Sequence, residues 1–198
     1  MEDNPGQAHD EKLSGRLAGV QSRFLFKLGL ADVLRFTMFG TMIVVVNDVT
    51  RLPLQIPGHT SIFWMAIMLL GAGLIPKFGG GMIMGSVSGV LAVVLGLGKE
   101  GIFIFFKYFV PGLVVDLLAP VFFYQMANPF VGVICGALAS LSKLFISLLL
   151  GLLLQLPMGF LALGLGYTSL THVAFGAAGG LVAVFLINRL KPRLVRWE

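Results

Sequence analysis

Charge is scarce in this chain. Asp, Glu, Lys and Arg make up 12% of its 198 residues, against about 25% in soluble domains, and this excludes an ordinary water-soluble globule. Cysteine is almost absent: the single Cys135 rules out an intramolecular disulfide, leaves any metal site without a thiolate cluster, and reads as a small packing residue. Enzymatic signatures are missing as well, with no GxSxG, HExxH, phosphate-binding loop or Cys-x-x-Cys. The short Gly164-Leu165-Gly166 run lies in an apolar stretch, without the strand-turn-helix context a nucleotide fingerprint requires. The expectation is therefore a non-enzyme without its own cofactor. If ATP drives its function, the motor is another subunit.

Apolar length is what the chain has in excess. Hydrophobic residues reach 57%, mean hydropathy is +0.95, and the stretch from Val33 to Asn188 divides at its breakers into about six segments near bilayer-crossing length. The cuts fall at Asn47-Asp48, Pro76-Lys77, Lys99-Glu100, Asn128-Pro129 and Gln155-Pro157. The first three segments look short, at about 15 to 20 residues, and glycine-rich. The predicted fold is all-α, a polytopic membrane bundle of about six helices over residues 31–198, with a basic tail. Residues 1–30 form a separate polar segment, in which Leu13, Leu17, Val20 and Phe24 recur at helical spacing among Lys12, Arg16, Arg23 and Lys27. That pattern predicts a cytoplasmic interfacial amphipathic helix. Basic residues cluster at both ends of the chain, so both termini are expected on the cytoplasmic side, flanking an even number of crossings. Gly81, Gly85 and Gly89, then Gly132, Gly136 and Ser140, then His172, Gly176 and Gly180, form small-residue ridges at four-residue spacing, which allow close helix approach.

Ionisable groups inside apolar segments are costly and usually functional, which directs attention to Lys107, Asp116, Lys143 and His172. At 1.5 Å per residue, Asp116 lies about 18 Å from the Asn128-Pro129 turn and Lys143 about 22 Å, so a pair across one hairpin is expected. His172 is expected level with Lys143 across the next, and Lys107 nearer the outer surface, where its stem reaches toward water. In this reading Lys107 and Lys143 attract a carboxylate or phosphate, while Asp116 and His172 fix orientation. Trp64 or Tyr167 would cover a ring, and Arg51 and His59 stand in the outer first loop. A bundle-locking ion pair and a hydrogen-bonded interior histidine are the structural alternatives.

A long first loop rich in Pro and Gly, a short helix pair joined by "LIPKFGGG", the "GVLAVVLGLGKEG" segment and the closing "LTHVAFGAAGGLVAVFLINRL" together resemble the substrate-capture S components of energy-coupling factor transporters. The resemblance implies a subunit embedded in a prokaryotic inner membrane that captures a small vitamin or vitamin precursor in its outward half. It implies as partners a transmembrane coupling subunit and two ATPase subunits, which use the ATP. The family's first-helix small-residue pattern contacts the coupling subunit, and Thr37, Gly40 and Thr41 in "RFTMFGTM" fall in the comparable stretch. The cobalt and nickel branch uses an N-terminal Met-His site, whereas this chain begins Met1-Glu2, so metal specificity is not implied. The alternative class is an intramembrane enzyme or accessory assembly protein using the same polar cluster without transport.

Overall fold

The computed structural model describes residues 28–50, 59–97, 101–153 and 158–194. The amphipathic segment expected before residue 28 and Arg51 lie outside them. Among these residues six α-helices follow one another: α1 Leu30–Val49, α2 Ser61–Leu74, α3 Gly80–Val94, α4 Ile104–Val121 after a short 3-10 turn, α5 Pro129–Leu153 and α6 Met158–Leu194. No strand occurs among the described residues. Each helix falls on one expected apolar segment, with ends displaced by a few residues. Four stretches among the described residues are long and apolar enough to cross a membrane: Leu30–Val49, Gly101–Val121, Pro129–Leu153 and Gly166–Pro192. The first has 20 residues, the upper end of the expected length, because Leu30 to Asp32 join it at one end and the expected breaker Asn47-Asp48 lies inside it at the other. Asp32 stabilises that start, accepting the Gly29 amide and the Lys77 ammonium.

The remaining two helices are short. With 14 residues in α2 and 15 in α3, each spans only about 21 to 23 Å, less than a bilayer core of about 30 Å. α2 is the central element, packing on α1 and α6 and touching α3, α4 and α5. Trp64, Met65, Met68 and Leu69 of α2 are fully buried. Around it the other helices run in the order α1, α3, α4, α5, α6, each packed on the next.

Glycine sets the closeness of two of these contacts. A Cβ on Gly112 would lie 2.2 Å from the Gly81 carbonyl oxygen, and one on Gly180 would lie 2.0 Å from that of Gly132. Gly81, Gly85 and Gly89 thus bring α3 against α4, while Gly132 and Gly136 meet Gly176 and Gly180 between α5 and α6. These are the ridges legible in the sequence, and bare backbone is what lets the helices touch.

The bundle has two ends. The proximal end carries the start of α1 and the end of α6, with the α2–α3 and α4–α5 turns. Contacts from Lys77 to Asp32 and from the Asn188 amide to the Ala127 carbonyl define it. The distal end carries the end of α1 and the start of α4, joined by Asn47 and Tyr108.

The α4–α5 turn overturns the expected depth of Asp116. α4 closes at Val121, and Phe123 and Tyr124 take left-handed conformations, with φ of 51° and 57°. Their amides bond back to the Pro120 and Ala119 carbonyls, sealing the helix end. Counting from the true helix end, Asp116 is only about 8 Å in, whereas Lys143 is about 21 Å along α5. The two residues are therefore not level.

Candidate functional site at the distal end of the bundle

Asp116 is buried, but its partners lie on α3. Its carboxylate accepts the Gly81 amide at 2.9 Å and the Met82 amide at 2.7 Å. The first amides of a helix have no partner within it and carry the positive end of its dipole. Gly79, at φ 96°, makes the sharp entry that leaves them facing Asp116. The expected pairing with Lys143 is corrected: Asp116 is an acidic cap supplied in trans at the proximal end. It takes no part in the distal cluster.

Lys143 lies among aromatics. Its Nζ sits 4.3 Å from the Trp64 ring centroid and 5.0 Å from that of Tyr108, within the range of cation–π attraction. The Tyr108 phenol oxygen receives the Asn47 side-chain amide. His172 joins the same region: its Nδ1 is 3.2 Å from the Ser140 hydroxyl, which is 3.3 Å from the Ser61 hydroxyl. It also lies within electrostatic reach of Lys143. The expectation that Lys143 and His172 are level holds, because Ser140 stands one turn before Lys143 on the same face of α5.

One donor in this cluster stands out. The Trp64 side chain is 0% exposed, yet its indole Nε1–H has no acceptor among the described residues. Buried indole N–H groups usually find one. Next to an ammonium held on the same ring, it makes the distal cluster rich in donors and aromatic faces.

The other sequence candidates fall around this cluster or away from it. His59 is half-buried in the turn before α2, five residues ahead of Trp64. Lys107 is half-buried in the first turn of α4, next to Tyr108. Tyr167 is 60% exposed and lies about 140° around α6 from His172. Asn47, Ser61, Ser140 and Tyr108 are further members of the cluster, which the pattern of intramembrane charges does not single out. Asn47 and Ser61 carry a signal as polar residues at the distal ends of their helices, although Asn47 also reads as a helix breaker, whereas Ser140 lies mid-helix and reads as part of a packing ridge.

On α1 the small residues divide. Gly40 faces α3, where a Cβ would meet the Met84 carbonyl oxygen at 2.9 Å. The Ser88 hydroxyl lies 2.8 Å from the Gly40 carbonyl, so Gly40 is used inside the bundle. Thr41 is exposed and Thr37 half-buried. Their hydroxyls donate to the Thr37 and Val33 carbonyls of their own helix, leaving methyl groups for an apolar neighbour.

A family model described as "ABC-type cobalt transport system, permease component" matches residues 25–142, more than half of the chain. Comparisons with curated proteins and with solved structures gave no match.

Proposed function

The chain belongs to the family of ABC-type cobalt transport system permease components, and from that premise we propose that it is the substrate-capture subunit of an energy-coupling-factor-type transporter, binding a small vitamin or vitamin precursor at the distal cluster. The observation that carries this reading is the Trp64, Tyr108 and Lys143 arrangement, with a buried indole N–H beside the ammonium. Two aromatic faces suit a planar ring, and convergent donors suit ring nitrogens, carbonyls or a carboxylate on it.

Cobalt itself, the cargo in the family description, suits this cluster poorly. Among the described residues no group of three or more His, Cys, Asp or Glu gathers. The distal cluster offers one imidazole and hydroxyls around a lysine ammonium, whose charge repels a divalent cation. The substrate we propose is therefore organic. Lys143 would meet its anionic or acceptor group, Ser140 and His172 would orient it, and Trp64 would cover the ring.

In this reading all six helices cross the bilayer, the two short ones sheltered by their neighbours, and the distal end faces outward. The basic residues flanking α1 and α6 then place both termini in the cytoplasm. Reporter fusions at the two termini should both report cytoplasm, and opposite sides would break the six-span topology.

Release would follow docking on a coupling subunit whose two ATPases hydrolyse ATP; this chain carries no ATP chemistry. The exposed side of α1 around Thr37 and Thr41 is the proposed docking face, with Gly40 left to the bundle. Replacing both threonines with leucine should abolish co-purification with the coupling subunit while leaving ligand affinity within about twofold, because close helix approach across lipid needs small side chains. A double variant that still assembles and transports would remove this face from the account.

A further inference from the structure

Ser61 and Ser140 are 1% and 0% exposed, out of reach of solvent, and they stand in a row with His172. The Ser140 hydroxyl lies 3.3 Å from that of Ser61 and 3.2 Å from the His172 Nδ1. Three helices, α2, α5 and α6, meet in this row. Gly176, one turn after His172 on the same face of α6, permits the approach, since a Cβ there would lie 2.5 Å from that of Ser140.

Two hydroxyls and a ring nitrogen in a row can order their hydrogens in two directions. If Nδ1 donates, Ser140 passes its hydrogen to Ser61, and the Ser61 hydrogen is left buried with no acceptor among the described residues, which is costly. If Ser61 donates to Ser140 and Ser140 to Nδ1, both hydroxyl hydrogens are used. The second order satisfies the row, and it puts the imidazole proton on Nε2.

We propose that Ser61 and Ser140 are positioning residues that fix His172 as an Nε2–H donor, so that the distal cluster presents three donors and selects a ligand bearing a carboxylate. This rests on reading the distal cluster as the substrate site. With Nδ1 taken by Ser140, Nε2 is the ring nitrogen left for a ligand. The other two donors are the Lys143 ammonium and the Trp64 indole N–H, neither of which can accept. A carboxylate only accepts and meets all three, whereas the NH2 of a carboxamide would set donor against donor. One ammonium also balances one negative charge, against about 1.5 to 2 on a phosphate monoester.

The test uses the full chain purified in detergent, with Ser61→Ala and Ser140→Ala. In protein carrying isotope-labelled histidine, the His172 signal is assigned by its loss in His172→Gln, and its tautomer is read by nuclear magnetic resonance about two pH units above the ordinary histidine pKa of about 6.5. The Nε2–H form should exceed the Nδ1–H form by more than about tenfold in the wild type, and either variant should lower that ratio by about fivefold, the worth of one buried hydrogen bond. Ser61→Ala is the sharper arm, because Ser61 bonds Ser140 and not the ring. A wild type protonated on Nδ1, or a ratio unmoved by Ser61→Ala, would overturn the positioning role. Calorimetry then compares nicotinate, biotin and para-aminobenzoate, each with its carboxamide. An acid that binds should do so at least about tenfold more tightly than its amide, and an amide that binds as well as its acid would overturn the carboxylate selection. If the tautomer is as stated and no acid binds, the substrate-site reading fails with its carboxylate, and the serine-set tautomer stands.

Discussion

Replacing Lys143 with methionine should weaken ligand binding by about a hundredfold, while Lys107→Met leaves it within about threefold. The difference follows from surroundings. The Lys143 ammonium lies on the Trp64 and Tyr108 rings, a setting in which a desolvated cation–π contact is worth about 2 kcal/mol. A charge-assisted hydrogen bond to the ligand is worth about 1.5 to 3 kcal/mol, whose upper end is about a hundredfold in affinity; methionine keeps the stem and loses that bond, and the lost cation–π contact counts toward stability. Lys107 sits one turn into α4, half-buried near the distal surface, where a long cation reaches water. Stability should fall by only about 1 to 2 kcal/mol in Lys143→Met. Asp116 has its own partners on α3, so no buried carboxylate is orphaned. Calorimetric affinity and thermal unfolding in detergent, measured side by side, check both halves. Equal losses of affinity in the two variants would place the ligand against both lysines.

Asp116→Ala should do the reverse, destabilising the bundle by about 3 to 5 kcal/mol while the folded fraction binds ligand with unchanged affinity. Two backbone amides at the start of α3 lose their acceptor, and hydrogen bonds to a charged group are worth about 1.5 to 3 kcal/mol each. The packing around them cannot relax to admit another acceptor, since Gly81 and Gly112 are already in backbone contact. Asp116→Asn keeps one carbonyl oxygen and should show an intermediate loss. Denaturant unfolding of the three proteins measures the order. A variant that stays fully stable yet loses its ligand would return Asp116 to the binding site.

The contrast between these residues shows what the sequence could disclose. The apolar segments and their breakers located all six helices, because segment length and turn residues are local properties of the chain. The glycine ridges marked faces of α3, α5 and α6 suited to close approach for the same reason, four-residue spacing putting small residues on one helical face, while which helix each face meets came from the fold. Depth failed for Asp116 because it depended on where α4 ends. That end is set by a left-handed Phe123-Tyr124 turn, which neither residue type announces. Partner choice failed too, since opposite charges suggested Lys143, and the bare amides of a helix start leave no mark in the sequence. The site was half legible: Trp64, Lys143 and His172 appeared as unusual residues in an apolar setting, whereas Asn47, Ser61 and Ser140 became visible only once the fold brought them together. Gly40 and Thr41 are neighbours in one small-residue stretch, yet the first packs on α3 and the second is exposed, a distinction that only helix phase against α3 decides.

Native mass spectrometry of the detergent-purified protein tests the central claim most directly, because a capture subunit is expected to retain its substrate. The account predicts one organic molecule of a few hundred daltons, bound one to one, with a ring system and hydrogen-bond acceptors. It should be present on the wild type and on Asp116→Asn, and missing from Lys143→Met and from Trp64→Ala. A protein that carries cobalt in place of an organic ligand, or one whose bound molecule persists unchanged in both distal variants, would contradict it.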